Sequence, residues 1–196
     1  MNLNAAFWQD KYQSGDTPWD IGYPSPPICN FVTKLSDKDI AILIPGAGKA
    51  HEAAFLWQQG FRNIAICDWA SAAFEEVQRK IPDMPAENYR IGNFFDLNGQ
   101  FDLILEQTFF CAIAPAQRAD YAAKCFELLK PGGLLAGLLF NKVFEKPGPP
   151  FGGDAQTYQS IFSPYFTIHK MIPAEDSISP RNGNELFFVL EKPYVN

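Results

Sequence analysis

The sequence predicts an α/β fold built on one sheet with helices on both faces. Short apolar runs alternate with helical segments along most of the chain, and this alternation favours parallel strands joined by helices. The last two runs, near residues 166–172 and 185–191, have no helix predicted between them, so they should form an antiparallel hairpin. The expected architecture is a Rossmann-like, doubly wound, seven-stranded sheet, mostly parallel, with that C-terminal hairpin. A chain of 196 residues, 47% of them hydrophobic, should form a single domain over residues 1–196.

The order of elements follows from local patterns. Residues 1–35 carry little strand signal and are rich in Trp, Pro and Gly, which predicts a helix followed by an irregular, lid-like segment. The β-branched run 40–44 is typical of a buried strand. Gly60 is expected to end the next helix and Pro82 to follow the one after it. Further strands are predicted at 63–67, 89–91, 101–105 and 134–140, and helices at 51–59, 71–80, 115–129 and 156–162.

The charge balance limits the partners. Lys and Arg number 16 and Asp and Glu number 22, so the net charge is −6 and polyphosphates should bind poorly. Nucleic acid and anionic membrane surfaces are therefore not expected partners. No run approaches the roughly 18 apolar residues of a membrane span, and the N-terminus lacks a signal-peptide pattern. We expect a cytoplasmic monomer that acts on a small molecule.

The cysteines are expected to be reduced thiols rather than metal ligands. None belongs to a C-x-x-C pair, and the two histidines lie far apart in the sequence, so no metal site is predicted. Both histidines are expected to be structural. These residues are Cys29, Cys67, Cys111, Cys125, His51 and His169.

Two strand ends predict a nucleoside site. Gly46, Ala47 and Gly48 follow the first strand, where glycines let the backbone approach a ligand closely; the alternative is an ordinary tight turn. Asp68 follows the second strand and is placed to accept hydrogen bonds from ribose hydroxyls; the alternative is a helix N-cap. A dinucleotide fingerprint would need Gly at position 51, which is His51, so NAD and FAD are disfavoured.

The next strand ends supply candidate contacts to adenine. Trp69 and Phe94 are candidates to cover the ring and Asn93 to address its edge, with core packing and a polar turn as the alternatives. Glu106 ends the fourth strand, where a polar residue followed by two rings suits a ligand mouth. The predicted ligand is thus an adenosine without phosphates, of which S-adenosylmethionine is the most common. Ring faces can stabilise its sulfonium, which gives a role to three N-terminal side chains: Trp8, Tyr12 and Trp19.

Segments along nearly the whole chain resemble the thiopurine S-methyltransferase family, a group of class I S-adenosylmethionine-dependent methyltransferases. The segment 108–113, with Pro115 and Arg118, is the most specific match and indicates the thiol, thiocyanate and halide methyltransferase branch. Asn93 departs from that branch, which often has Asp there, and Ile44 stands where many methyltransferases carry an acid. The other matching segments are 7–12, 17–20, 45–49 with Glu52, Asp68, 92–97, 101–104, 128–133 and 147–151.

The resemblance implies methyl transfer by in-line displacement, with S-adenosylhomocysteine as the product of the donor. A soft nucleophile such as a thiol, thiocyanate, halide or thiopurine needs no general base, in agreement with the absence of an evident catalytic histidine. Four rings are candidates for an apolar pocket wall that removes water from the nucleophile. Arg181 is a candidate to attract an anion, with a surface role as the alternative. The four rings are Trp19, Phe109, Phe110 and Phe151.

Three other functions stay open at this level. One is an NAD-type oxidoreductase on a Rossmann fold, which His51 and the terminal hairpin disfavour. Another is a non-catalytic module that binds S-adenosylmethionine. The third is transfer to an amine or oxygen acceptor, since the fold does not fix the acceptor. Glu106 would be the one evident base for such a transfer.

Overall fold

The computed structural model describes residues 3–194 and contains one seven-stranded sheet. The strand order is β3-β2-β1-β4-β5-β7-β6; β5–β7 and β6–β7 are antiparallel and the other pairs are parallel. The predicted fold class and its C-terminal hairpin are confirmed. The strands are β1 Ile42–Pro45, β2 Ile64–Asp68, β3 Tyr89–Ile91, β4 Phe101–Gln107, β5 Leu129–Phe140, β6 Thr167–Pro173 and β7 Glu185–Glu191.

Six α-helices surround the sheet in the described part of the chain. Their bounds are α1 Ala5–Ser14, α2 Pro26–Val32, α3 His51–Gln58, α4 Phe74–Lys80, α5 Arg118–Leu128 and α6 Ala155–Phe162. Helix α2 lies in the stretch for which the sequence predicted an irregular segment. Its start carries a recognisable signal, since Ser25 is the N-cap and Pro26 is the first helical residue, a position where proline is favoured.

Two apolar clusters cover the two faces of the sheet. Alternation along β4 sends Ile104 to one face and Leu103 and Leu105 to the other, as expected for a strand buried on both sides. Helices α5 and α6 pack on the first face through Tyr121 and Tyr158. Helices α2, α3 and α4 pack on the second face. Strands β1, β2 and β4 are therefore largely buried, as the run 40–44 predicted for β1, whereas the edge strands β3 and β6 are largely exposed.

The strand order places the polar strand ends together. From β3 to β1 the order runs in one direction, and it reverses between β1 and β4, which are neighbours. In open α/β sheets, ligands bind beyond the carboxyl ends of the strands at such a reversal. The residues that follow β1, β2, β3 and β4 meet at this edge.

Candidate active site

A cavity of about 480 Å³ lies at the carboxyl ends of the strands. Its volume is in the range of small-molecule sites. It is lined by residues from the ends of β1 to β5, from α1 and from two later loops. The predicted site residues among them are Trp8, Tyr12, Trp19, Gly46, Asp68, Trp69, Asn93, Phe94, Phe109 and Arg181.

The rings of residues 3–20, which we call the N-terminal segment, form one wall of the cavity. Trp8 packs edge-on against Trp19 with ring centroids 5.5 Å apart, and Tyr12 does so at 5.8 Å. Phe7 joins them through Trp8 at 5.0 Å. The three predicted rings thus lie together and present aromatic surface to the cavity, where a cation would be stabilised.

The glycine turn and Asp68 form a single unit. The Gly48 amide donates to one carboxylate oxygen of Asp68 at 3.1 Å, and the Ala70 amide donates to the other at 2.9 Å. Each oxygen keeps a lone pair for a further donor such as a ribose hydroxyl. Burial raises the pKa of Asp68, against the lowering effect of its backbone hydrogen bonds.

Gly46 is the residue of the turn that faces the cavity. Its φ is 57°, and a Cβ there would lie 2.4 Å from Cδ2 of Phe109, so a side chain would collide with that ring. Ala47 and Gly48 are not among the lining residues, and Gly48 acts instead through its hydrogen bond to Asp68. A glycine turn, a buried carboxylate and clustered rings suit a nucleoside with a cationic sulfur.

The candidate adenine contacts Asn93 and Phe94 also stabilise the local structure. The Asn93 side-chain oxygen accepts the Phe95 amide at 3.2 Å, and its amide group donates to Asp96 at 3.2 Å. Phe94 is 3% exposed and packs on Tyr121, with ring centroids 5.4 Å apart. Both residues border the cavity, so the turn geometry and the ligand wall are built from the same side chains.

Three predicted site residues lie behind the wall rather than on it. Glu106 is fully buried: it accepts the amides of Phe109 and Phe110 at 2.8 and 2.9 Å and the Tyr121 hydroxyl at 2.7 Å. The Phe110 ring packs under the site, and Phe151 lies beside it, while Pro149 and Pro150 reach the cavity instead. These three residues support the site because their side chains or neighbours fix the wall.

Two polar anchors connect the N-terminal segment to the sheet. Asp20 pairs with Lys49 at 2.6 Å and accepts from His51 at 2.8 Å. Burial opposes its ionisation, but hydrogen bonds from Lys49, Gly22 and His51 lower the pKa of Asp20 to about 2. In the other anchor, Arg181 donates to the Trp19 carbonyl at 2.8 Å. The other histidine, His169, lies on edge strand β6 and pairs with Glu191 of β7 at 2.6 Å.

The sequence left many lining residues unassigned. Phe7 and Lys11 carried a usable signal, since residues 7, 8, 11 and 12 share one face of a helix. Residues 108–111 follow the strand end that was predicted to form a ligand mouth, whereas residues 112–113 and Pro149–Pro150 lie within segments that carried only the family resemblance. The unassigned residues are Leu3, Phe7, Lys11, Pro18, Cys67, Gly92, Phe95, Thr108, Cys111, Ala112, Ile113, Gln117, Phe140, Pro149 and Pro150.

The fold and the site define a class I methyltransferase. A 1,6-didemethyltoxoflavin-N1-methyltransferase from Burkholderia thailandensis, solved with S-adenosylhomocysteine, superposes with a TM-score of 0.76 at 18% identity, covering 97% of this chain and 87% of that one. A TehB-like S-adenosylmethionine-dependent methyltransferase from Corynebacterium glutamicum gives 0.66 at 13% identity, covering 96% and 97%. These likenesses show the fold.

Sequence comparison then gives the family. The model of the thiopurine S-methyltransferase family matches residues 3–195. A probable thiol methyltransferase 2 from Arabidopsis thaliana is 31% identical over 91% of this chain and 81% of its own length. Thiocyanate methyltransferase 1 from Brassica oleracea is 30% identical over the same shares. The chain belongs to the thiopurine S-methyltransferase family and is an S-adenosylmethionine-dependent methyltransferase, which confirms the predicted cofactor; neither the oxidoreductase nor the non-catalytic alternative gains support.

No helix within residues 3–194 combines the length and apolar character needed to cross a membrane. No group of three or more His, Cys, Asp or Glu side chains in that range is arranged to hold a metal ion.

Replacing Asp68 by Ala should weaken S-adenosylhomocysteine binding by about 1–3 kcal/mol, the usual cost of losing hydrogen bonds in a buried site. Calorimetric titration measures the change, with thermal unfolding as a check on the fold. Asp83→Ala, at an exposed position, is the control and should bind like the wild type. An unchanged affinity for Asp68→Ala would remove this carboxylate from the binding site.

Replacing Glu106 by Gln should abolish one pH dependence of the free energy of unfolding. Burial raises the pKa of Glu106 from 4.5 to about 7 in the folded chain, against the lowering effect of its hydrogen bonds. The folded chain therefore holds the Glu106 proton more tightly than the unfolded chain does. The protonated carboxyl group thus stabilises the fold below about pH 4.5, and this stabilisation is lost as pH rises through about 7.

Denaturant unfolding of both proteins at several pH values measures this difference. The stability of the wild type relative to Glu106→Gln should fall by up to about 3 kcal/mol between pH 5 and pH 8, at about 1.4 kcal/mol for each pKa unit. Other titrating groups cancel in the comparison. Parallel pH profiles for the two proteins would show that Glu106 is already ionised at low pH in the folded chain.

Proposed function

We propose that this enzyme methylates a small soft nucleophile, such as a thiolate, thiocyanate, a halide or a thiopurine, by in-line displacement. The observation that carries the proposal is the composition of one end of the cavity. Four apolar lining residues, Cys111, Phe140, Pro149 and Pro150, lie there with Arg181: the Arg181 guanidinium is 5.6 Å from the centroid of the Phe140 ring, and Phe151, the residue after Pro150, donates its amide to the Cys111 carbonyl. We call this the acceptor end.

No described side chain at the acceptor end is suited to remove a proton at neutral pH. The lining carboxylate, Asp68, ends β2 and accepts the Gly48 amide of the glycine turn, and the nearby Glu106 carboxylate is enclosed by its three hydrogen bonds. Burial raises the pKa of Tyr12 and raises the pKa of Cys67 and of Cys111 to about 12. A nucleophile that is already an anion, or that loses its proton in water, is the acceptor that such a wall suits.

Each wall has a separate part in the transfer. S-adenosylmethionine supplies an electrophilic methyl carbon on a cationic sulfur. Asp68 would hold the ribose, and Trp8, Tyr12 and Trp19 would face the positive charge. The apolar acceptor end would strip water from the nucleophile, while Arg181 would offset the loss of its hydration. Protonated thiols at Cys67 and Cys111 would not compete for the methyl group.

The names of the relatives support a soft acceptor but also mark the range within the family. Two relatives at 30% identity or more are a thiol and a thiocyanate methyltransferase. A 2-heptyl-1-hydroxyquinolin-4(1H)-one methyltransferase from Mycobacteroides abscessus is 25% identical over 80% of this chain and 71% of its own length. Family membership alone therefore does not identify the acceptor, and our proposal rests on the residues of the acceptor end. A cytoplasmic location and a monomeric state stay predictions.

A product screen with labelled methyl donor tests the acceptor class. Thiols, thiocyanate, iodide and thiopurines should yield methylated products, and neutral phenols and amines should not. Transfer to a hydroxyquinolone in place of every soft nucleophile would contradict the proposal.

Replacing Arg181 by Met should raise KM for anionic acceptors by roughly 10- to 100-fold, the equivalent of about 1.5–3 kcal/mol for a hydrogen bond to a charged group. Because Arg181 also holds the Trp19 carbonyl, a neutral soft acceptor such as a dialkyl selenide is tested in parallel and should lose much less. Arg79→Met, at an exposed arginine, is the matched control. Equal losses for neutral and anionic acceptors would reduce the role of Arg181 to anchoring the N-terminal segment.

A further inference from the structure

Arg118 occupies an unfavourable place for a cation. It is the first residue of α5, where the helix dipole disfavours positive charge, and it is only 5% exposed. No carboxylate of the described residues forms a salt bridge with it. Burial lowers the pKa of its guanidinium, and the Nε atom has no hydrogen-bond partner in the structure. A buried cation without an anion needs other compensation.

That compensation comes from one loop and two rings. The guanidinium donates to the Phe151 carbonyl at 2.9 Å and to the Gly152 carbonyl at 3.1 Å. It lies over the Phe110 ring, 4.7 Å from the centroid, and 5.8 Å from that of Tyr158. Arg118 therefore joins the start of α5, the turn after β4 and the loop that follows β5.

This loop, residues 141–154, forms part of the acceptor end. Pro149 and Pro150 line the cavity, and the next residue, Phe151, donates its amide to the Cys111 carbonyl at 2.7 Å. Further along, the Gly153 amide donates to the Lys142 carbonyl at 3.0 Å. The two carbonyls that Arg118 holds thus lie directly beside the prolines that face the acceptor.

We propose that Arg118 is a positioning residue that sets the acceptor wall by fixing loop 141–154 against the turn after β4. The proposal rests on the proposed function only where it assigns this end of the cavity to the acceptor. An apolar side chain of similar length could fill the same space, and buried charges are often replaceable in this way without loss of stability. What such a side chain lacks is the pair of directed donors that gives the loop one position.

Arg118→Met and Arg118→Lys test this, with Arg79→Met as the matched control. For Arg118→Met, KM for the acceptor should rise by roughly 10- to 100-fold, because a displaced wall loses contacts that it makes equally with the bound acceptor and with the transition state. The value of kcat and the Kd of S-adenosylhomocysteine should change by less than about threefold, since Arg118 does not line the cavity. Arg118→Lys should recover part of the loss, because it restores one donor.

Amide hydrogen exchange gives a readout that needs no acceptor. Exchange in residues 141–154 should be at least about tenfold faster in Arg118→Met, with the rest of α5 unchanged. Failure of the proposed function would leave this result intact, so the two ideas are separately testable. Native exchange and native KM in a folded Arg118→Met protein would overturn the proposal, as would an equal loss of S-adenosylhomocysteine affinity.

Gly152→Ala tests the same wall from the loop if Arg118→Met does not fold. A Cβ at residue 152 would lie 1.5 Å from the Lys142 carbonyl oxygen, so the loop must shift while Arg118 stays in place. The KM of the acceptor should rise and the Kd of S-adenosylhomocysteine should not. A Gly152→Ala protein with native KM would show that the position of this loop does not control the acceptor.

Discussion

The buried carboxylate of Glu106 fixes the turn on which both halves of the site depend. One of its oxygens accepts two successive amides, Phe109 and Phe110, and the other accepts the Tyr121 hydroxyl. This bonding accompanies a left-handed Thr108, with φ of 61°, so the chain reverses at once after β4. The Phe109 ring then packs on Gly46 of the glycine turn, and the Phe110 ring lies under the Arg118 guanidinium, which holds loop 141–154. A shift of this turn would therefore move both binding walls together.

The N-terminal segment closes the cavity with little core of its own. Helix α1 has no buried residue, and its rings face the cavity rather than the sheet. Its connections are polar: Asp20 with Lys49 and His51, and the Trp19 carbonyl with Arg181. Since partly exposed ion pairs contribute little to stability, these anchors define where the segment lies more than they stabilise it. A ligand that fills the space beneath the rings would add apolar contact to that which Trp8 and Tyr12 already make with Trp19.

Local patterns predicted the sheet well because buried parallel strands must be apolar on both faces. They also predicted that Gly46 and Asp68 would lie close together, because the carboxyl ends of parallel strands meet at one edge. Strand β5 begins at Leu129 rather than at 134, since the Pro131–Gly132 pair reads as a turn while the Gly132 amide pairs with the Lys192 carbonyl. The role of Glu106 was beyond local reasoning. A carboxylate at a strand end faces a ligand or the core depending on which way the next turn folds, and one of the three groups that hold Glu106 inward is the hydroxyl of Tyr121, fifteen residues further on.

The net charge of −6 does not oppose an anionic acceptor at this site. Exposed charges are screened over about 8 Å at physiological ionic strength, whereas a cation set among apolar walls acts on a ligand at short range with little screening. Arg181 has one carboxylate close by, Glu185, at 3.4 Å. Burial raises the pKa of Glu185, even though Ser177 and Arg181 favour its ionised form. The other arm of the Arg181 guanidinium donates to the uncharged Trp19 carbonyl at 2.8 Å, so a single carboxylate of the described residues pairs with this cation, and the apolar walls around it supply no second one.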